Sequence, residues 1–319
     1  MESVHRTVLL NEAIDGLNLS PKSLVIDATF GGGGHSLEMC KRYSGIKIIA
    51  LDQDKSAFGK AEGKFKDLNC DITFVNENFR QLDHLENFGA FALEDIRTGN
   101  PRRLNFLNGP VDAIIFDLGL SSDQLENSGR GFSFLKDEPL LMTMKENPTE
   151  EDVTAMDVVN TWSEKSLADI IYGYGEEKNS RKIAKGIVEA RQKMKIETTF
   201  NLVKIIEDAV PNLYKRGRIP KKLHCATRTF QAIRIAVNDE LGALNDGLEK
   251  GFKILKNGGR MSVISFHSLE DRIVKRFFRE KVEKGIAKLI NKKVILASDE
   301  EIRNNPRSRS AKLRILEKI

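Results

Sequence analysis

The chain has 319 residues, 40% hydrophobic and 30% charged, which suits a folded protein with room for two lobes and excludes wholesale disorder. A net charge of +5 and a pI of about 8.9 permit a polyanionic partner without demanding one. No apolar run approaches the roughly 18–20 residues of a membrane helix, and Met1 to Arg6 lack a signal-peptide core, so a cytoplasmic protein without membrane association is expected.

In chain order, the first half alternates β-rich runs with helical stretches, the rhythm of a parallel sheet covered by crossover helices. The runs are residues 24–27, 47–52, 72–75 and 111–117. The first, second and fourth are apolar on both faces, as buried parallel strands are. Cys40 and Cys70 fall within this half and Cys225 lies far beyond it. Odd in number and widely spaced, the three cysteines read as structural thiols. Five histidines without a His-x-x-x-His pair give no reason to expect a bound metal.

The fifth strand, residues 260–266, comes only after more than a hundred residues of mostly helical patterning, including 166–171 and 181–194. That is too long for one crossover. It predicts an inserted helical domain over residues 126–223, splitting a sheet domain into 1–125 and 224–319. One continuous helix is expected to lead back into the sheet, because Phe230, Ile233, Val237, Leu241, Leu244, Leu248, Phe252 and Leu255 recur at steps of three or four. Asn257, Gly258 and Gly259 should end it. A further helix over 269–284 and a closing strand over 312–316 complete the pattern.

The strongest motif joins the first strand to the first helix after it, Asp27-Ala28-Thr29-Phe30-Gly31-Gly32-Gly33-Gly34-His35. Glycines there let backbone pass close to a ligand that faces the free N–H groups of the helix. Asp52 ends the second strand 21 residues after Gly31, near the ~20-residue spacing at which a carboxylate accepts ribose hydroxyls. This pairing suits adenosine, and either a dinucleotide or S-adenosylmethionine would satisfy it. Asp27 favours the latter, since a carboxylate ahead of the glycines suits a cationic aminoacyl group better than a pyrophosphate. A turn-forming strand-end aspartate is the plainer alternative.

At the end of the fourth strand, Asp117-Leu118-Gly119-Leu120-Ser121-Ser122-Asp123-Gln124 lies at the carboxyl edge, where open α/β sheets bind ligands. Asp117 and Ser121 could accept hydrogen bonds from an amine, and His267, ending the fifth strand, is a third catalytic candidate. A helix-capping turn explains Ser121 and Ser122 equally well, and a capped or core histidine is the blander account of His267.

These segments, with His5 to Glu12, Gly129-Arg130-Gly131-Phe132-Ser133-Phe134, Tyr174-Gly175-Glu176-Glu177, Ala226 to Ala232, Ser265 to Arg272 and Asn305 to Ser310, resemble in order the RsmH (MraW) family across essentially the whole chain. The resemblance implies a Rossmann-like class I methyltransferase sheet with an inserted α-helical domain for substrate recognition. It implies S-adenosyl-L-methionine as cofactor, held by Gly33, Gly34, His35, Asp52, Phe79, Asp117 and Gln124. The implied reaction is N4-methylation of a cytidine in 16S ribosomal RNA, in the decoding-centre region, with small-subunit RNA as partner and a homodimer as a candidate assembly. Phe79 would otherwise be assigned to the core.

An RNA substrate needs phosphate contacts, for which Lys215, Arg216, Arg218, Lys221, Lys222 and Arg228 are the candidates, with Arg234, Arg307 and Arg309 as further cations. Charge runs are also common on solvated faces. One run departs from the family pattern: residues 137–145 read Asp-Glu-Pro-Leu-Leu-Met-Thr-Met-Lys where the family commonly has Asp-Gly-Pro-Leu-Asp-Met-Arg-Met-Asp. Cys225 stands where the family usually has Pro. Two other functions fit parts of the pattern. A dinucleotide oxidoreductase is disfavoured by Asp27 and the insertion, and an RNA-binding ribosome-assembly factor with a vestigial pocket is disfavoured by the near-complete cofactor motifs.

Overall fold

The structure, a computed structural model, describes residues 6–86, 93–94, 101–102, 111–211 and 224–319. The chain separates into two compact units, Met1–Leu120 with Leu241–Ile319, and Ser121–Glu240. No helix among the described residues is long and apolar enough to cross a membrane.

The first unit is built on β1 (Leu24–Asp27), β2 (Ile46–Leu51), β3 (Cys70–Val75), β6 (Val111–Asp117), β7 (Leu255–Ser265), β8 (Ala287–Leu289), β9 (Ile295–Leu296) and β10 (Lys312–Lys318). A separate short pair, β4 (Leu93–Glu94) and β5 (Pro101–Arg102), is antiparallel. The main sheet runs β3-β2-β1-β6-β7-β10-β8, with β9 also on β10. Strands β3 to β7 in that order are parallel, and β10 is antiparallel to β7. The strand order reverses beside β1, and an α/β sheet opens its ligand crevice at such a switch point.

Alternation along the central strands sends side chains into two separate cores, as a period of two requires. Ile26, Ile49, Ile114, Phe116, Met261 and Val263 face one core. Val25, Ile48, Ala50, Ala113, Ile115 and Ile264 face the other. Helices α10 (Glu240–Ile254) and α11 (Ser268–Glu283) cover the first through Leu244, Leu248, Phe252, Val274, Phe277 and Phe278. Helices α1 (Leu10–Leu17), α2 (Gly34–Arg42) and α3 (Ser56–Ala61) cover the second through Ile14, Leu17, Met39 and Phe58.

The helical unit contains α4 (Ser122–Asn127), α5 (Ala155–Thr161), α6 (Glu164–Gly173), α7 (Ser180–Arg191), α8 (Thr199–Ala209) and α9 (Thr227–Asn238). Val158, Leu167, Ile171, Ile183, Ile187, Leu202, Ile206 and Ile233 are buried in it. The run at residues 137–145 is pinned here. Arg130, itself buried, donates to the carbonyls of Met144 and Lys145, and Asn238 accepts from the Met144 N–H while donating to the Met142 carbonyl. Glu138 accepts from the Gly131 N–H, and Leu140 and Met142 fill the interior.

Three expectations need correction. The long apolar stripe belongs to two helices, because Asp239 adopts a left-handed conformation (φ 45°) between α9 and α10, a conformation that Asp tolerates better than most residues. The helix then ends at Ile254, and Gly258 (φ +79°) falls inside β7, beside a register irregularity against β6. Cys40 and Cys70 are bonded as a disulfide with Cα atoms 5.4 Å apart, because the end of α2 packs against the start of β3.

Candidate active site

At the carboxyl edge of the parallel strands, the loop after β1 turns sharply through Gly31 (φ +51°) and Gly33 (φ +73°) into α2. Side chains are excluded there. A Cβ on Gly33 would lie 2.6 Å from the Phe30 ring, and one on Gly34 would lie 1.7 Å from the Thr7 hydroxyl. The first-turn N–H groups of α2 have no partner within the helix, so this end of the helix favours polar and anionic groups.

Asp52 closes the loop from the neighbouring strand. Its two carboxylate oxygens accept from the N–H groups of Gly31 at 2.7 Å and Asp54 at 2.8 Å. Burial raises its pKa to about 6 against the opposing pull of these hydrogen bonds. Asp27 is buried at the tip of β1, where it accepts from the Ser36 hydroxyl at 2.6 Å and the Thr29 N–H at 3.3 Å. Burial raises its pKa to about 6 as well.

Asp117 ends β6, with its backbone N–H donated to the Thr29 hydroxyl at 2.6 Å. Its side chain is 25% exposed and lies 3.7 Å from the buried His35 imidazole. Oδ1 is shielded from solvent and takes no hydrogen bond among the described residues. Desolvation first, then the charges of Asp27 and Glu270, raise the Asp117 pKa to about 8. A carboxyl in this state has a strong affinity for a proton and an acceptor atom still to satisfy.

Glu270 was not singled out from the sequence, although its signal is present. His267-Ser268-Leu269-Glu270 has the spacing of a capping box. His267 Nδ1 accepts from the Glu270 N–H, while buried Glu270 accepts from the N–H groups of Phe266 and His267. The structure therefore places His267 as the N-cap of α11. Phe79 packs edge-on to Phe116, with ring centroids 5.6 Å apart, beneath Gly247 of α10. Ser36 was also missed, although it stands one turn into the helix behind the glycines.

Ser121 and Gln124 are in the helical unit and form the reciprocal capping box of α4: Ser121 Oγ accepts from the Gln124 N–H, and Gln124 Oε1 from the Ser121 N–H. Arg228 donates to the Glu176 carbonyl and lies 3.7 Å from Glu177. Lys215, Arg216, Arg218, Lys221 and Lys222 lie outside the described residues, as does His5. Glu207, His224 and Cys225 come together in the helical unit. His224 Nδ1 accepts from the Ala226 N–H, and its Nε2 lies 3.7 Å from Glu207.

The first unit thus brings together Gly33, Gly34, His35, Asp52 and Asp117 at a switch point, with a glycine loop that admits no side chain and with the carboxyls of Asp27, Asp52 and Asp117 at the strand ends. This is a nucleoside-cofactor site on a Rossmann-like α/β sheet, of the class I methyltransferase type. The family model described as the MraW methylase family matches residues 2–319, and the chain belongs to that family. A relative from Paenibacillus sp. (strain JDR-2), named ribosomal RNA small subunit methyltransferase H, is 42% identical over 99% of each chain. One of the same name from Lactobacillus johnsonii is 40% identical over the full length of both. A solved rRNA methylase from Streptococcus thermophilus aligns over 98% of each chain at 12% identity with a TM-score of 0.43, a likeness too weak to add to the assignment.

The cofactor of this family's reaction is S-adenosyl-L-methionine. The residues present fit it. The glycine loop packs against Phe30 and Thr7 and leaves backbone N–H groups at the edge, Asp52 is placed at the end of the neighbouring strand, and buried Asp27 with partly exposed Asp117 sets carboxyls where a cationic group could lie.

Proposed function

We propose that the protein methylates the N4 amine of a cytidine in 16S ribosomal RNA, in the decoding-centre region, as a cytoplasmic enzyme of bacterial small-subunit maturation. The names of its full-length relatives support the ribosomal substrate. The observation that carries the chemistry is Asp117 Oδ1, shielded at the strand edge and taking no hydrogen bond among the described residues.

A cytosine amine is a weak nucleophile because its lone pair is delocalised into the ring. It must therefore be held in line and relieved of a proton, and orientation can supply up to ~7–11 kcal/mol in favourable cases. S-adenosyl-L-methionine supplies a methyl group on a sulfonium, whose positive charge also favours ionised carboxyls nearby. Ionised Asp117 accepts a hydrogen bond from the amine and takes up the proton it releases, for which its raised proton affinity is suited. Asp52 orients the ribose, Asp27 the amino end, and Gly33, Gly34, His35 and Phe79 shape the pocket, with Gln124 as a further contact. Ser121 and His267 are engaged in helix caps and act by fixing the turns that follow β6 and β7.

The inserted helical region carries RNA recognition in this reading, through Arg228 and the basic stretch Lys215, Arg216, Arg218, Lys221 and Lys222. A homodimer is the assembly to test by sedimentation. For the reaction itself, the protein is incubated with methyl-labelled cofactor and unmodified small subunits, and the labelled nucleoside is identified after digestion. Label in N4-methylcytidine of 16S RNA is expected. Label on carbon 5 or on another base removes the N4 assignment, and RNA binding without transfer favours an assembly factor.

A further inference from the structure

The exposed face of α11 carries a concentration of positive charge. This helix buries Leu269, Val274, Phe277 and Phe278 against the sheet, which fixes its opposite face in solvent. Arg272, Lys275, Arg276 and Arg279 stand exposed there. Among the described residues, Lys275, Arg276 and Arg279 enter no ion pair. Of the carboxylates of this helix, Glu270 is committed to backbone N–H groups, Asp271 to Lys312 and Arg314, and Glu280 to Lys284, while Glu283 stands exposed one turn beyond Arg279.

Other helices of the molecule treat exposed cations differently. Lys165 meets Asp169, Lys185 meets Glu189 and Lys204 meets Asp208, each one turn apart. On α11 the cations also neighbour one another. Arg272 and Arg276, and Lys275 and Arg279, are four apart, and Arg272 with Lys275 and Arg276 with Arg279 are three apart. Like charges at these spacings weaken a helix, an effect that Glu280 and Glu283, four residues after Arg276 and Arg279, offset only in part.

We propose that this stripe is a binding track for the phosphate backbone of the RNA substrate, beginning at the reaction edge. The track rests on the function proposed above. Helix α11 starts at the His267 cap directly after β7, and β7 pairs with β6, which ends in Asp117. Arg272 and Arg276 are about 6 Å apart along the axis and Arg276 and Arg279 about 4.5 Å, taking 1.5 Å per residue. A strand laid along the helix therefore meets a row of closely spaced cations along its phosphates. Arginine suits phosphate through paired N–H donors, and contacts of this kind position RNA without reading its sequence.

The test compares the wild-type protein with K275Q/R276Q/R279Q, which keeps good helix formers at all three sites. A control, K41Q/K47Q/K66Q, removes equal charge from exposed positions elsewhere on the same unit. Binding to a transcript of small-subunit RNA is measured across salt concentrations, and cofactor affinity is measured by calorimetry as a check on the fold. The track variant should bind RNA at least tenfold more weakly near 0.1 M salt, with a log–log slope shallower by about two, while its cofactor affinity holds. The control should keep the wild-type slope. An unchanged slope, or an equal change in the control, overturns the track. Loss of binding to assembled subunits but not to naked RNA assigns the stripe to a protein partner instead and also overturns it. If wild-type protein transfers no methyl group to RNA, the function proposed above fails, while the salt comparison still decides the track.

Discussion

Asp117 is the residue on which the proposed chemistry and the pH response of the fold meet. Its pKa is raised from 3.8 to about 8, so the folded protein holds a proton that the unfolded chain releases over that interval. Stability must then fall as pH rises from about 4 towards 8, because the folded state binds more protons there. Asp117→Asn removes the titration while keeping the shape. The melting temperature of the variant should hold up better than that of the wild type as pH rises, with the gap widening up to about pH 8 and levelling beyond it. Asp27 and Asp52 continue to lower the stability of both proteins between about pH 4 and 6, since both are raised to about 6. The variant should also lose single-turnover methyl transfer at saturating cofactor and RNA. Parallel melting curves across that range, or transfer near the wild-type rate, would remove Asp117 from its assigned role.

At the scale of elements, the glycine loop and α2 make the sharpest demand on sequence. Gly34→Ala places a methyl group against Thr7, so α2 must shift or the Thr7 side chain must leave. Overpacking of this kind costs about 1–3 kcal/mol. The variant should melt at a lower temperature and bind cofactor at least tenfold more weakly by calorimetry. Gly59→Ala in α3, where the added Cβ meets nothing within 4 Å, should instead be neutral or slightly stabilising. Equal behaviour of the two variants would show that α2 has freedom the packing does not suggest.

The sequence makes β1, β2, β3, β6, β7 and β10 legible because each contains a β-rich run, and the glycine loop legible because its strand and helix flank it directly, whereas β4, β5, β8 and β9, of two or three residues each, are too short to show a pattern. The break at Asp239 is hidden, since apolar spacing continues through it and only one backbone angle changes. The Cys40–Cys70 bond is hidden for a different reason: it depends on how the end of α2 meets β3, which spacing along the chain does not encode. Asp52 and Asp117 can be found as strand-end carboxyls. The service of Ser121, Gln124 and His267 in caps becomes visible only when the side-chain oxygens and nitrogens are matched to particular backbone N–H groups.

For the molecule as a whole, the placement of β6 beside β7 governs the order of assembly. These neighbours pair in parallel although Asp117 and Leu255 are separated by more than a hundred residues of chain. Closing so long a loop costs entropy that grows with the logarithm of its length, and the pairing returns nothing until the ends meet. Folding the insertion first shortens the effective tether, whereas β1, β2 and β3 pair across short segments and need not wait. Pulsed hydrogen exchange during refolding should therefore protect amides of α6 and α7 before those joining β6 to β7, with β10 following β7. Simultaneous protection would mean that the sheet closes around an unformed insertion. The interrupted chain thus imposes a timetable: the edge that carries Asp117 is completed late, after the elements on either side of the interruption have found their own partners.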